Sequence, residues 1–417
     1  MCRYLPGLEI EWNPFLDDPG CDQNHPVDRI KRRNTVLALL EAALAAVDPE
    51  VLTRDALAAR GGASLGVIAI GKASAAMTRG AARVADTTRG ICVSNFTAAV
   101  PAGVELVIGD HPVPGPASFL AGQRVREVAT EAGDDLVALI SGGGSALCEY
   151  PIDGVSEDYI SSTNARLLQC GASIADINLV RRHLSAIKNG GLARSAGHPI
   201  DTYAISDVGA EPAEVIASGP TAATPLDPEA AIEVLVRNDI DVPETVGRAI
   251  RAPRSVVAGS PITVIADGHT AAEGAVRAAV TEDIPAGVVD GWLSGDLVAA
   301  FSSFLEEAGP GLSVATGEPE VVVTGDGRGG RNTHAALLAA SFLQGTDSVF
   351  AAFATDGVDG RSSSAGAIVD GLTIEQGGDP RWALESSDSA GYLEATGDLI
   401  RIGPTGTNVS DLWVLWR

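Results

Sequence analysis

The sequence predicts an α/β protein of two domains, and three observations carry the prediction. Short apolar runs such as SLGVIAI (64–70), DLVALI (135–140) and SVFAAFA (348–354) each end in a polar glycine turn. Helical patterns alternate with such runs along the chain, which means a parallel sheet covered on both faces. The composition is rich in Ala, Gly and Val with only 4% aromatic residues, which suits stacked α/β layers better than a β-sandwich. A chain of 417 residues exceeds what one core normally holds, so two domains are expected.

Residues 1–28 carry four prolines and no periodicity and read as a poorly ordered leader. A helix follows over 28–47, with Val36, Leu37, Leu40 and Leu44 at helical spacing, and a shorter one over 52–60. From Ser64 the alternation begins: a strand, the turn Gly71-Lys72 and a helix; two more strands, the second closing on Asp110-His111-Pro112; a helix; then a strand that ends in SGGGS (141–145). Two helices near 157–169 and 174–184 precede a strand that ends at Ser206-Asp207. A second alternation starts near 255, so the expected domains are 29–254 and 255–417. In the second, 320–323 reads as a buried strand, followed by the loop TGDGRGGRN (324–332) and a helix. Asp267-Gly268, Asp326-Gly327 and Asp356-Gly357 are read as strand ends that place three carboxylates at one sheet edge.

The net charge is −25, and only Lys31, Lys72 and Lys188 are lysines, while arginine supplies the other 26 basic residues. An acidic surface almost without lysine fits a cytoplasm at very high salt, where screening removes self-repulsion. It argues against nucleic acid or an anionic membrane as a partner. Five scattered cysteines without a CxxC pair read as reduced and intracellular, with no zinc knuckle. No signal peptide or membrane-length apolar run is present in the sequence, which reads as cytoplasmic.

The candidate site residues sit where apolar runs stop. A strand–glycine loop–helix unit places backbone N–H groups and a positive dipole end where an anion binds. In 320–340 that unit also carries Asp326, Gly327, Arg331 and Asn332. At the 70–74 turn, the Lys72 ammonium is placed to neutralise a phosphate or carboxylate oxygen. A plain surface lysine is the alternative, which the helix dipole disfavours. The three glycines Gly142, Gly143 and Gly144 between Ser141 and Ser145 let backbone amides approach a ligand. Lys188, beside Asn189-Gly190-Gly191, reads as a ligand-facing helix end. Asp207 and Asp356 are candidates to hold a metal, with helix capping or turn structure as the alternative. Thr405, Gly406, Thr407 and Asn408 form a polar loop suited to a nucleotide or phosphate. No P-loop is present, nor a GxGxxG that opens a helix with an acidic residue about 20 positions on.

Taken together, the strings GKAS (71–74), GDHPVPG (109–115), SGGGSAL (141–147), INLVRRHLSAIKNGG (177–191), ISDV (205–208), IASGPT (216–221), TGDGRGGRN (324–332), ATDGVDG (354–360) and GPTGTNVSDL (403–412) resemble the glycerate 2-kinase family, also called the MOFRL family and formerly named as hydroxypyruvate reductases. The resemblance implies ATP-dependent phosphorylation of D-glycerate to 2-phosphoglycerate with Mg²⁺. It implies two α/β/α three-layer domains, a Rossmann-like parallel sheet and then a smaller mixed sheet, with an inter-domain active-site cleft. Lys72 and Arg331 stand at the positions of the family's candidate catalytic pair. Where the family continues Gln-Glu after GGRN, this chain has Thr333-His334. An NAD(P)-dependent hydroxypyruvate reductase is the alternative activity, and a homodimer is left open.

Overall fold

The computed structural model describes residues 25–60, 62–133, 135–209, 212–257 and 259–417. The expected leader lies outside them except for 25–28, which open the first helix. The chain divides into two compact units. One is Pro49–Ile265; the other joins the described residues up to Asp48 to Ala266–Arg417.

The first unit holds strands β1 (Gly62–Ile70), β2 (Ala85–Ser94), β3 (Val104–Ile108), β4 (Leu136–Ser141), β5 (Asp201–Ile205) and β6 (Ile262–Ala266) in the order β3-β2-β1-β4-β5-β6. The pairs β1–β2, β2–β3, β1–β4 and β4–β5 are parallel. Every residue of β4 is buried, as expected for a strand covered on both faces. Ile68, Ile70, Val93 and Ile140 pack with Ala121, Val125 and Leu192 from flanking helices. The strand order reverses between β1 and β4, and in open α/β sheets ligands bind outside the carboxyl ends of the strands at such a reversal. The turns after β1 and β4 are 71–73 and 142–143, so the fold brings Lys72 and SGGGS together.

The second unit holds β7 (Ala286–Val288), β8 (Leu312–Gly317), β9 (Val349–Ala354), β10 (Gly366–Asp370), β11 (Leu399–Ile400) and β12 (Asp411–Trp416), in the order β11-β10-β9-β12-β8-β7. β12 runs antiparallel to both β8 and β9, while β7 and β8 are parallel, so the sheet is mixed. Its core gathers several of the chain's few aromatics. Trp413 meets Phe301, Phe304 and Phe350 edge-on at centroid distances of 6.0, 5.9 and 5.9 Å.

Two sequence expectations need correction, and the compact units divide the chain elsewhere than at the expected border of 254/255. β6 extends the first sheet, where Thr202 N donates to Pro261 O at 2.9 Å. The first helix packs on the later unit, where Arg33 donates to Asp370 at 2.9 Å and to Asp398 at 2.7 Å, and Arg29 joins Asp370 at 3.1 Å. Residues 321–324 are not a strand, and Val322 and Val323 are 77% and 60% exposed. The strand before the glycine loop is instead β8. The three Asp-Gly carboxylates do not share one edge. Asp267 follows β6 of the first sheet, Asp356 follows β9 of the second, and Asp326 follows no strand.

The buried Arg33 cluster makes a stability prediction. Arg33→Ala leaves the Asp398 carboxylate buried beside Asp370 without its cation, and removing one partner of a buried pair costs about 3–5 kcal/mol. Urea unfolding at neutral pH is expected to show that loss; a midpoint equal to wild type would refute it.

Candidate active site

In the unit Pro49–Ile265, the turn after β1 is built against the end of β4. Gly71 has φ +128°, and a Cβ there would lie 2.3 Å from Ser141 Oγ, so only glycine fits. Lys72 N donates to Gly142 O at 2.9 Å, and Ala73 N donates to Ser141 Oγ at 3.0 Å. Ser141 therefore acts inside the turn. A Cβ at Gly143, where φ is +81°, would lie 3.2 Å from Lys72 Cγ and 3.7 Å from His111 Cδ2. The Lys72 side chain thus crosses Gly143 beside the exposed His111.

A second loop closes on SGGGS from the side. Ser145 Oγ and Ser218 Oγ share a hydrogen bond of 2.7 Å, and Ser218 Oγ donates to Asn178 Oδ1 at 3.2 Å. Ala217, Ser218 and Gly219 have φ of +51°, +61° and +70°. Left-handed non-glycine residues cost about 1–3 kcal/mol each and concentrate at functional sites. The strain is held by Asn189 N donating to Ser218 O at 3.1 Å and Gly190 N to Gly219 O at 2.7 Å. Asn178 is the one polar residue of INLV (177–180), and a helical pattern alone does not show that it meets the Ser218 loop.

Two expectations in this unit change. Lys188 is 1% exposed and its ammonium bonds Glu149, also 1% exposed, so it faces a buried carboxylate and not a ligand. Asp110 Oδ2 accepts from Ala117 N at 2.9 Å, capping the helix Pro116–Glu131. Its carboxylate serves the loop, and His111 is the residue of that pair turned to solvent. Asp207 follows β5 and is partly exposed.

In the other unit, Arg331 opens the helix Arg331–Leu343. Its Nε and Nη2 donate to Asp411 at 2.5 and 3.2 Å, and Nη1 meets Glu318 at 2.8 Å. Burial works against the guanidinium charge, but Asp411 and then Glu318 outweigh it and hold its pKa above the usual arginine range. Burial pushes the Asp411 carboxyl up to about 6, against the opposing pull of Arg331.

The helix start is not an open anion site. Asp359 Oδ1 accepts from Asn332 N at 2.9 Å, and Oδ2 accepts from Thr333 N at 2.8 Å. Burial raises the Asp359 pKa, and these same donors oppose it. The loop glycines give room to the protein itself. A Cβ at Gly330 would lie 2.3 Å from Asp359 Oδ1, and one at Gly327 would lie 2.5 Å from Asp388 Cβ. Thr333 explains its own presence: its hydroxyl accepts from Gly330 N at 2.9 Å and donates to Asp359 at 2.8 Å. His334 is partly buried, which lowers its pKa.

The remaining predicted residues scatter by role. Asp326 is exposed, while Asn332 is fully buried with its Oδ1 unpaired. Thr407 is buried and donates to Val47 O at 3.3 Å, and Thr405 Oγ1 donates to Thr355 O at 2.5 Å, so both hydroxyls bind backbone. Gly406, at φ +77° with open space around it, and the partly exposed Asn408 keep an accessible edge on that loop. Asp356 Oδ1 accepts from Val358 N at 3.0 Å. Among the described residues no three His, Cys, Asp or Glu side chains cluster as a metal site. Asp207 follows a strand of one unit and Asp356 a strand of the other, each partly exposed; either one alone has the chemistry to join a cation held mostly by phosphate oxygens. Asp411 was the important omission. Asp359 reads in the sequence, with Asp356, as a turn residue or an Mg²⁺ or hydroxyl contact, and only contacts across the fold reveal its capping.

A model described as a domain of unknown function (DUF4147) matches residues 35–251, and the MOFRL family model matches 311–411. The chain is 32% identical to the D-glycerate 2-kinase of Thermotoga maritima over 91% of its own length and 97% of that protein's. It belongs to the glycerate 2-kinase (MOFRL) family. A crystal structure of glycerate kinase from Thermotoga maritima superposes with a TM-score of 0.83 at 30% identity, covering 93% of this chain and 99% of that one. An Agrobacterium vitis protein whose name proposes a hydroxypyruvate reductase is 35% identical over 95% of this chain and 97% of its own length. Members of the family thus carry both names, and the two α/β sheets described above are those expected from the resemblance.

Proposed function

We propose that this chain transfers the γ-phosphoryl group of ATP to the 2-hydroxyl of D-glycerate with Mg²⁺. The observation that carries the proposal is Lys72, set across Gly143 at the strand-order reversal, in a chain aligned almost end to end with a D-glycerate 2-kinase. Phosphoryl transfer needs positioning and charge neutralisation more than covalent help. Lys72 neutralises a phosphate oxygen beside the SGGGS amides. Arg331 grips the transferring group or the glycerate carboxylate through its planar fork. Asp207 or Asp356 would hold Mg²⁺, which would supply neutralisation of phosphate charge, or would take the hydroxyl proton. The turn after β1 reads Gly71-Lys72-Ala73-Ser74 where a nicotinamide dinucleotide site would carry GxGxxG, which supports the kinase over the reductase.

Purified protein with D-glycerate, ATP and Mg²⁺ is expected to release ADP only when glycerate is present, with 2-phosphoglycerate identified by NMR. Oxidation of NADH by hydroxypyruvate in a parallel reaction, without ADP formation, would select the reductase instead.

The acidic surface supports work in a salt-rich cytoplasm. Among the described residues no helix is long and apolar enough to cross a membrane. At a charge of −25, self-repulsion falls as the screening length shrinks from about 10 Å at 0.1 M salt to about 3 Å at 1 M. Melting temperature and turnover are both expected to rise over that range of KCl; flat or falling curves would remove the halophilic reading.

A further inference from the structure

We propose that Glu318 is a displaceable placeholder on the anion-binding edge of Arg331, while Asp411 holds the other edge permanently. The inference rests on the reading of Arg331 as the residue that meets a substrate anion. The two carboxylates on this guanidinium differ in every respect that decides which can leave. Asp411 binds it through two nitrogens and its side chain is 1% exposed. It is the first residue of β12, fixed between Gly317 of β8 and Ala354 of β9. Glu318 touches Nη1 alone, at 2.8 Å, and its side chain is 48% exposed. It lies one residue beyond β8, so the β8–β12 register brings it beside Asp411 while leaving it outside the ladder.

Exposed pairs of this kind contribute little, whereas buried bidentate ones are lost only at high cost. Charge gives the same answer. With both carboxylates ionised, the trio carries a net charge of −1, which repels an incoming phosphate or carboxylate. Once Glu318 swings away, Arg331 and Asp411 are balanced, Nη1 has lost its carboxylate on a side chain that is 32% exposed, and Asp359 is the remaining carboxylate charge acting on it. The backbone behind it stays still, because Asp359 grips the amides of Asn332 and Thr333. Glu318 therefore sets the threshold that an anion must pass to occupy Arg331, and Asp411 aims the fork.

Titration calorimetry of inorganic phosphate against the whole chain, at one fixed KCl concentration, tests this. Glu318→Gln is expected to tighten phosphate binding about two- to fivefold, the size of an exposed ion pair. Glu318→Asp keeps the net charge but shortens the reach, and is expected to give part of that gain. The gain is expected to vanish in Arg331→Gln/Glu318→Gln compared with Arg331→Gln. Unchanged affinity in Glu318→Gln overturns the proposal, as does an equal gain without Arg331 or no phosphate binding by any variant. A Glu318→Asp protein that matches wild type while Glu318→Gln tightens marks a long-range charge effect and also overturns it. The readout needs no turnover, so it stands apart from failure of the kinase reading, which absent glycerate-dependent ADP formation would report.

Discussion

Lys72→Ala is expected to lower glycerate-dependent ADP formation by about 10²–10³, the usual loss when one donor to the transition state is removed. The substitution leaves the backbone contacts that shape the turn in place. Gly71 keeps its approach to Ser141, and the Lys72 amide still donates to Gly142 O. Melting temperature should therefore stay close to wild type while turnover collapses. Lys72→Arg is not expected to restore activity, because a planar guanidinium differs in shape and reach from the ammonium that crosses Gly143. Retention of a third or more of wild-type turnover in Lys72→Ala would remove Lys72 from the mechanism.

Arg331→Ala is expected to lose turnover on the same scale and, unlike Lys72→Ala, to lose stability with a definite pH dependence. The substitution strands Asp411, buried at the head of β12, and stranding one partner of a buried pair costs about 3–5 kcal/mol. With Arg331 present, burial pushes the folded Asp411 carboxyl up to about 6, above its ordinary value of 3.8. A carboxyl with a raised folded pKa binds its proton more tightly when folded, so its contribution is most favourable below about 4 and declines as pH rises through about 6. Removing the cation removes the influence that opposed burial and moves the folded pKa higher still. The deficit relative to wild type is therefore expected to be small at about pH 5 and full at about pH 8. Urea unfolding at the two pH values measures it; a larger deficit at the acid end would contradict the buried Asp411–Arg331 pairing.

Part of the site was legible because local pattern and chemistry coincide there. Lys72 follows an apolar run, and glycines at 142–144 follow another, so each sits at a strand end whatever the rest of the chain does. Other assignments failed for want of information from elsewhere in the chain. EVVV looks like a strand, yet 321–323 lie outside both sheets, while β8 carries the ladder to β12. Lys188 stood beside glycines and resembled a ligand contact, but its partner Glu149 is 39 residues away. Thr405 and Thr407 look like phosphate donors until their hydroxyls are traced to backbone carbonyls.

The same division runs through the glycine loop 324–332. Its glycines, its two arginines and the helix behind it follow from the sequence alone, since turn chemistry and helical periodicity are local properties. So do the α/β class, the acidic and lysine-poor surface, and the family resemblance. What the loop's backbone amides bind was decided by tertiary structure: Asp359, 27 residues on, takes the place at the helix start that an anion was expected to fill. Asp411, 80 residues from Arg331, orients the guanidinium, and Arg33 ties the first helix to Asp370 across 337 residues. Buried carboxylates are costly without a partner, so the fold must supply one for each. Which partner it supplies depends on strand order and register, which no local window of sequence contains.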